Sequence, residues 1–225
     1  MKDSNSLIGA FFSPETTSLK VCGITRPEDA WALVEREVPA LGINFWQQSK
    51  RYCSPERAQE YAPAVAGQIL RVGVFVNAPE AEVLACYEQN LIDVAQFHGD
   101  EDEAYLADFT RHALPFIKAI GVSAPADLAQ LQRFHTPYLL LDAHAPGVYG
   151  GTGESIDWTL AGQTVRANPD LAIMLAGGVR PDNAAEATKV VLPCALDVAS
   201  GAESAPGVKD MAKVQALLAG CAERG

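Results

Sequence analysis

The sequence predicts a single α/β domain folded as a (β/α)8 TIM barrel, and three observations carry that prediction. Short apolar, β-branched runs alternate with longer segments rich in Ala, Leu and Glu, as they do in βα units around a parallel sheet. The unit recurs eight times, whereas a doubly wound flavodoxin-like sheet, the alternative, usually closes with fewer strands and a glycine-rich first turn. The length, 225 residues, suits one large α/β domain or two small ones and allows a sizeable core, and the eightfold repeat chooses the single domain.

Each element has its own justification. Strand one is 19–25 (LKVCGIT), and Arg26-Pro27-Glu28-Asp29 behind it places Pro and acids in the first turn of a helix. Strand two is 40–46 (ALGINFW), with Ser54-Pro55-Glu56 opening the next helix. Strand three is 69–76 (ILRVGVFV), followed by Ala78-Pro79-Glu80. Strands four, 93–98 (DVAQFH), and five, 115–121 (PFIKAIG), each lead into a helix-like stretch. Strand six, 138–143 (YLLLDA), runs into a long glycine-rich loop, 144–155, which is the best candidate for a lid over a ligand. Strand seven is 171–177 (LAIMLAG), followed by Arg180-Pro181-Asp182, and strand eight is 194–199 (CALDVA). Residues 19–225 thus form the barrel domain, and residues 1–18 are an N-terminal extension, either a disordered tail or a segment packed against the barrel, to which no chemistry is assigned.

Composition excludes several function classes. Apolar residues make up 48% and charged residues 20%, as in a packed globular protein and unlike a disordered chain. The net charge of −11 would repel nucleic acid and anionic membrane surfaces. An anionic small molecule remains compatible, provided that backbone N–H groups and a few fixed cations bind it locally. Five cysteines with no CxxC pair argue against a disulfide framework and a zinc ribbon. The start, MKDSNSLIGAFF, is no signal peptide, and the chain is read as soluble and cytoplasmic.

Chemistry in such a barrel belongs at the C-terminal ends of the strands. Period-two alternation puts Lys20 and Cys22 on one face of strand one and Gln96 and His98 on one face of strand four, with Asp142 ending strand six and Asp197 within strand eight. Cys22 stands out from Cys53, Cys86, Cys194 and Cys221, which read as small buried hydrophobes: it closes a strand beside Lys20, whose charge would lower a thiol pKa. Asp142 closes the run Leu139-Leu140-Leu141 and is either a structural acceptor or a working acid. His98 either orients its neighbours or touches ligand, and no ligand spacing for a metal exists. Glycine clusters follow three consecutive strands: Gly150-Gly151-Thr152-Gly153, Gly177-Gly178 and Ser200-Gly201. They leave backbone N–H groups open to an anion, and loops seven and eight are the usual phosphate site of this barrel.

The runs Lys20-Val-Cys-Gly-Ile-Thr25, Gln96-Phe-His-Gly-Asp100, Leu140-Leu-Asp142, Gly150-Gly-Thr-Gly153, Leu175-Ala-Gly-Gly178 and Pro206-Gly-Val-Lys-Asp210 resemble, in order and spacing, the phosphoribosylanthranilate isomerases. The resemblance spans residues 19–219. It implies a cofactor-free, metal-free Amadori rearrangement of a phosphorylated small molecule in tryptophan biosynthesis, by a monomer or homodimer. It further implies Asp142 as general acid on the ribose ring oxygen, Cys22 as general base at C2′, and Arg51 as partner of the anthranilate carboxylate. Lys20, His98, Gly151, Gly153, Gly177, Gly178, Ser200 and Gly201 are the remaining expected ligand-binding residues. The chain departs from the family at Gln47-Gln48-Ser49-Lys50, at Asn44 and Trp46, and at Ala199, where the family often has Ser. Two other functions compete. A related ribose-phosphate isomerase of histidine biosynthesis calls for Asp at the position of Cys22, and a non-catalytic binding paralogue would not need both Cys22 and Asp142.

Overall fold

A computed structural model describes residues 3–129, 131–143 and 156–224. Eight parallel strands close into a barrel in sequence order: β1 (Ser18–Cys22), β2 (Ala40–Asn44), β3 (Leu70–Phe75), β4 (Val94–Phe97), β5 (Phe116–Val122), β6 (Tyr138–Ala143), β7 (Ala172–Leu175) and β8 (Ala195–Val198). The ring is shut by β1 on β8, with Lys20 in register with Asp197. All eight expected strands are present. Most are shorter than their apolar runs, because pairing stops where the chain bends into the loops that carry polar groups.

Helix α1 (Ser4–Phe11) precedes the barrel. Around the barrel lie α2 (Pro27–Glu35), α3 (Pro55–Ala58), α4 (Glu80–Glu88), α5 (Glu103–Arg111), α6 (Trp158–Ala167), α7 (Ala184–Val191) and α8 (Met211–Cys221). Pro27 and Pro55 occupy the first helical turn, where their missing N–H costs nothing. Pro181 instead lies in a turn before α7, whose cap is Asn183. Unit five departs from the expected helix: it has two short 3-10 segments, Pro125–Leu128 and Leu131–Phe134. Asp127 draws the N–H groups of Ser123 and Ala124 and the Ser123 hydroxyl onto one carboxylate oxygen, which ties this stretch into a turn.

Alternation along the strands separates two apolar clusters. Leu19, Val21, Leu41, Phe97, Leu139, Leu141, Leu196 and Val198 pack outward with residues of the helices, such as Leu33, Phe109 and Leu217. Ala40, Leu70, Val72, Val94, Ile117, Leu140, Met174 and Ala195 fill the lower barrel. The extension belongs to this second cluster: Leu7, Ile8, Phe11 and Phe12 are buried in it, and Phe12 stacks on Tyr138 with ring centroids 4.0 Å apart. Ser4 also donates to Asp93, whose carboxylate is paired with the buried guanidinium of Arg71. Among the described residues no helix is long and apolar enough to cross a membrane.

Candidate active site

At the C-terminal ends of the strands a cleft of about 340 Å³ is lined by Cys22, Arg51, His98, Asp142, Gly177, Gly178 and Ser200, together with neighbours from the β2 loop and β8. Alternation explains the convergence. With Leu19, Val21, Leu139 and Leu141 outward, Lys20, Cys22, Leu140 and Asp142 must point inward, and the last inward residue of each strand reaches the mouth.

Beneath the mouth runs a polar chain. The Lys20 ammonium, fully buried, donates to Asp197 Oδ1 at 2.9 Å and to Gln96 Oε1 at 2.9 Å. Gln96 Nε2 lies 3.0 Å from His98 Nδ1, and His98 Nε2 lies 3.2 Å from Asp142 Oδ2. The ammonium needs an acceptor, so Gln96 turns its oxygen to Lys20 and its amide N–H to His98. That leaves His98 protonated on Nε2, aimed at Asp142. The other carboxylate oxygen of Asp142 accepts the Ala143 N–H at 2.9 Å.

Two expectations are corrected here. Lys20, expected to bind ligand, is fully buried and does not line the cleft, and its ammonium is held by Gln96 and Asp197. Burial is the largest single effect and would lower its pKa, but the charges of Asp197 and Cys22 and the hydrogen bonds to them together hold it above the ordinary value. Nor does Lys20 bring the Cys22 thiol down. Cys22 is partly open to the cleft, yet burial dominates, with Asp197 adding to it, and the thiol pKa is raised despite the attraction of Lys20.

Arg51 comes from the loop after β2, which closes on itself through a bridge between Asn44 and Tyr52. Its Nε and Nη2 donate to the two oxygens of Glu203 at 2.8 and 2.7 Å. Glu203 opens strand β9 (Glu203–Ala205), which pairs with β10 (Val208–Lys209) in a hairpin after β8. It also accepts from Lys209 Nζ at 2.7 Å, and Lys209 Nζ donates to the Cys22 carbonyl at 2.6 Å. Burial would raise the Glu203 pKa, but Arg51 and Lys209 hold it below the ordinary carboxylate value; burial dominates at Lys209 and lowers its pKa.

Gly177 and Gly178 form a left-handed pair, with φ of +82° and +65°, a backbone that side chains resist. Their N–H groups donate to no acceptor among the described residues. Ser200 begins a 3-10 turn (Ser200–Ala202) on the same side of the cleft. Gly201 does not line the cleft; a Cβ there would meet the Val179 carbonyl at 2.2 Å, so its glycine lets loops seven and eight touch. Gly151, Gly153 and the expected lid 144–155 lie outside the described residues. Nothing in the sequence pattern marks Glu203 or Lys209 for a role. Lys209 lies within the run Pro206–Asp210, and Glu203 follows β8 closely, but no periodicity marks a loop carboxylate.

The family of N-(5′-phosphoribosyl)anthranilate (PRA) isomerases matches residues 19–219. The N-(5′-phosphoribosyl)anthranilate isomerase of Syntrophus aciditrophicus is 41% identical over 203 residues, covering 90% of this chain and 86% of the relative. The crystal structure of phosphoribosyl anthranilate isomerase from Thermotoga maritima superposes with a TM-score of 0.81 at 33% identity, covering 91% of this chain and 98% of that one. A further phosphoribosyl anthranilate isomerase, in complex with reduced 1-(o-carboxyphenylamino)-1-deoxyribulose 5-phosphate, superposes with a TM-score of 0.79 at 32% identity over the same shares.

Proposed function

The chain belongs to the N-(5′-phosphoribosyl)anthranilate isomerase family, and from that premise we propose that Cys22 and Asp142 are the base and acid of its reaction. The enzyme catalyses the Amadori rearrangement of N-(5′-phosphoribosyl)anthranilate to 1-(2-carboxyphenylamino)-1-deoxyribulose 5-phosphate in tryptophan biosynthesis. The observation that carries the assignment is the entry of Cys22 and Asp142 into one cleft from β1 and β6.

Ring opening and proton abstraction involve different atoms and need an acid and a base that approach from separate strands. Asp142 protonates the ribose ring oxygen, the C1′–O bond breaks, and the anthranilate nitrogen becomes an iminium. Cys22 then removes the C2′ proton, and the electron pair flows into the iminium to give the enolamine, which tautomerises to the ketose. His98 holds the Asp142 carboxyl in place for the first step. The thiolate that the second step needs is disfavoured in the free cleft, and the adjacent iminium cation stabilises it when substrate is bound.

The Gly177 and Gly178 amides with Ser200 are suited to the phosphate, which reconciles an anionic substrate with a chain of net charge −11. Arg51 takes the anthranilate carboxylate through the edge of its guanidinium not used by Glu203. We take the working form to be a cytoplasmic monomer or homodimer.

The direct test mixes purified protein with enzymatically generated phosphoribosylanthranilate and follows the loss of its fluorescence. Folded protein that gives no acceleration over the spontaneous reaction would reduce the chain to a binding paralogue.

A further inference from the structure

We propose that Glu203 is a positioning residue that holds Arg51 poised for the substrate carboxylate, an inference that rests on the reading of Arg51 above. An arginine on a surface loop samples many rotamers, and binding through it would first have to freeze them. Arg51 is already fixed. Its stem lies over Gly23, where a Cβ would stand 2.5 Å from the Arg51 Cδ, so only glycine leaves it room. Its Nε and Nη2 are held by both oxygens of Glu203, whose side chain is 4% exposed. A guanidinium has five N–H groups in two forks; with one fork on Glu203, the Nη1–Nη2 edge remains for a second carboxylate.

Glu203 is itself immobilised. It accepts the Gly207 N–H at 3.1 Å and the Lys209 ammonium at 2.7 Å, and Thr25 Oγ1 donates to the Gly207 carbonyl at 2.8 Å. The two cations, Arg51 and Lys209, face one anion, so the cluster keeps a net positive charge for an anionic ring substituent while Glu203 prevents the cations from repelling each other. Lys209 carries the connection to the backbone of Cys22, so the carboxylate grip and the base strand share one anchor.

The test compares two ligands: reduced 1-(o-carboxyphenylamino)-1-deoxyribulose 5-phosphate and its phenylamino counterpart, which lacks the carboxylate. Glu203→Gln keeps the shape and is expected to weaken the carboxylated ligand about tenfold while leaving the phenylamino ligand within about twofold. Glu203→Asp, which keeps the charge but withdraws it, should show a smaller selective loss if the Gln variant folds poorly. Adding Glu203→Gln to Arg51→Ala should change nothing more. Equal losses for both ligands would make Glu203 merely structural, and unchanged or tighter binding of the carboxylated ligand would overturn the proposal. If Arg51→Ala binds both ligands normally, the reading of Arg51 itself fails; if Arg51→Ala loses the discrimination and Glu203→Gln keeps it, only the role of Glu203 fails.

Discussion

The two ends of the barrel are made from the same strands and the same alternation, yet they are opposite environments. At the floor, α1 and the Phe12 that caps it seat Leu7, Ile8, Phe11 and Phe12 against Ala40, Leu70, Val94 and Met174, and nothing there needs to move or react. At the mouth, the inward positions two residues further along become Cys22 and Asp142, over a buried chain from Asp197 through Lys20 and Gln96 to His98. Free energy gained at the floor supports groups at the mouth that are costly to desolvate. Substitutions at the mouth should therefore lower turnover and spare stability, and those at the floor should do the reverse.

The largest effect is expected at Cys22. Cys22→Ser replaces the thiol with a hydroxyl too weakly acidic to act as a base, and kcat should fall about 10²- to 10⁴-fold with unfolding unchanged. A near-normal kcat would remove Cys22 from the mechanism. Asp142→Asn keeps the bond from His98 and the shape of the side chain but cannot donate a carboxylic proton, so kcat should fall by about 10²-fold or more with product affinity retained. Loss of activity matched by loss of folded protein would make Asp142 a brace for its loop.

The floor supplies the contrast. Phe11 is 1% exposed, and Phe11→Ala should cost about 3 kcal/mol, through global unfolding or release of α1, with kcat unchanged. Thermal unfolding and kcat measured on one preparation decide it. An unchanged melting temperature would show that the extension adds no stability, and a fall in kcat matching that of Cys22→Ser would break the division between the two ends.

Legibility in the sequence follows the same division. The strands were readable because each is a short apolar, β-branched run, and Cys22, His98 and Asp142 were readable as the chemistry-bearing residues late in those runs. Unit five misled because Asp127 turns a helix-like composition into a capped turn. Helix α1 escaped because residues 1–18 lie outside the repeat, and that segment packs against the barrel, one of the two alternatives open to it. Glu203 escaped because its position is set by Arg51 from the β2 loop and by Gly207 and Lys209 across its own hairpin, and the pairing with Arg51 exists only in three dimensions. The raised thiol pKa of Cys22 was missed for a related reason: the nearness of Lys20 was visible, but the burial that outweighs it was not.

The smallest expected effect concerns pH, and its sign comes from counting protons on the two catalytic groups. Ring opening needs Asp142 protonated and abstraction needs Cys22 as thiolate. The pair therefore needs one proton between its two members, and kcat/KM is level wherever the pair carries one proton. Activity falls on the alkaline side when that proton is lost, and burial opposes ionisation of the Cys22 thiol. Burial raises that pKa, so the plateau should run through the ordinary thiol value of about 8.5 and decline only above it. The measurement is kcat/KM from about pH 6 to 10 in one buffer system, with folding checked at each point. A decline centred at or below about 8.5 would mean that the thiol in the working cleft is not governed by burial. A limb that persists unchanged in the residual activity of Cys22→Ser would show that another group carries the proton.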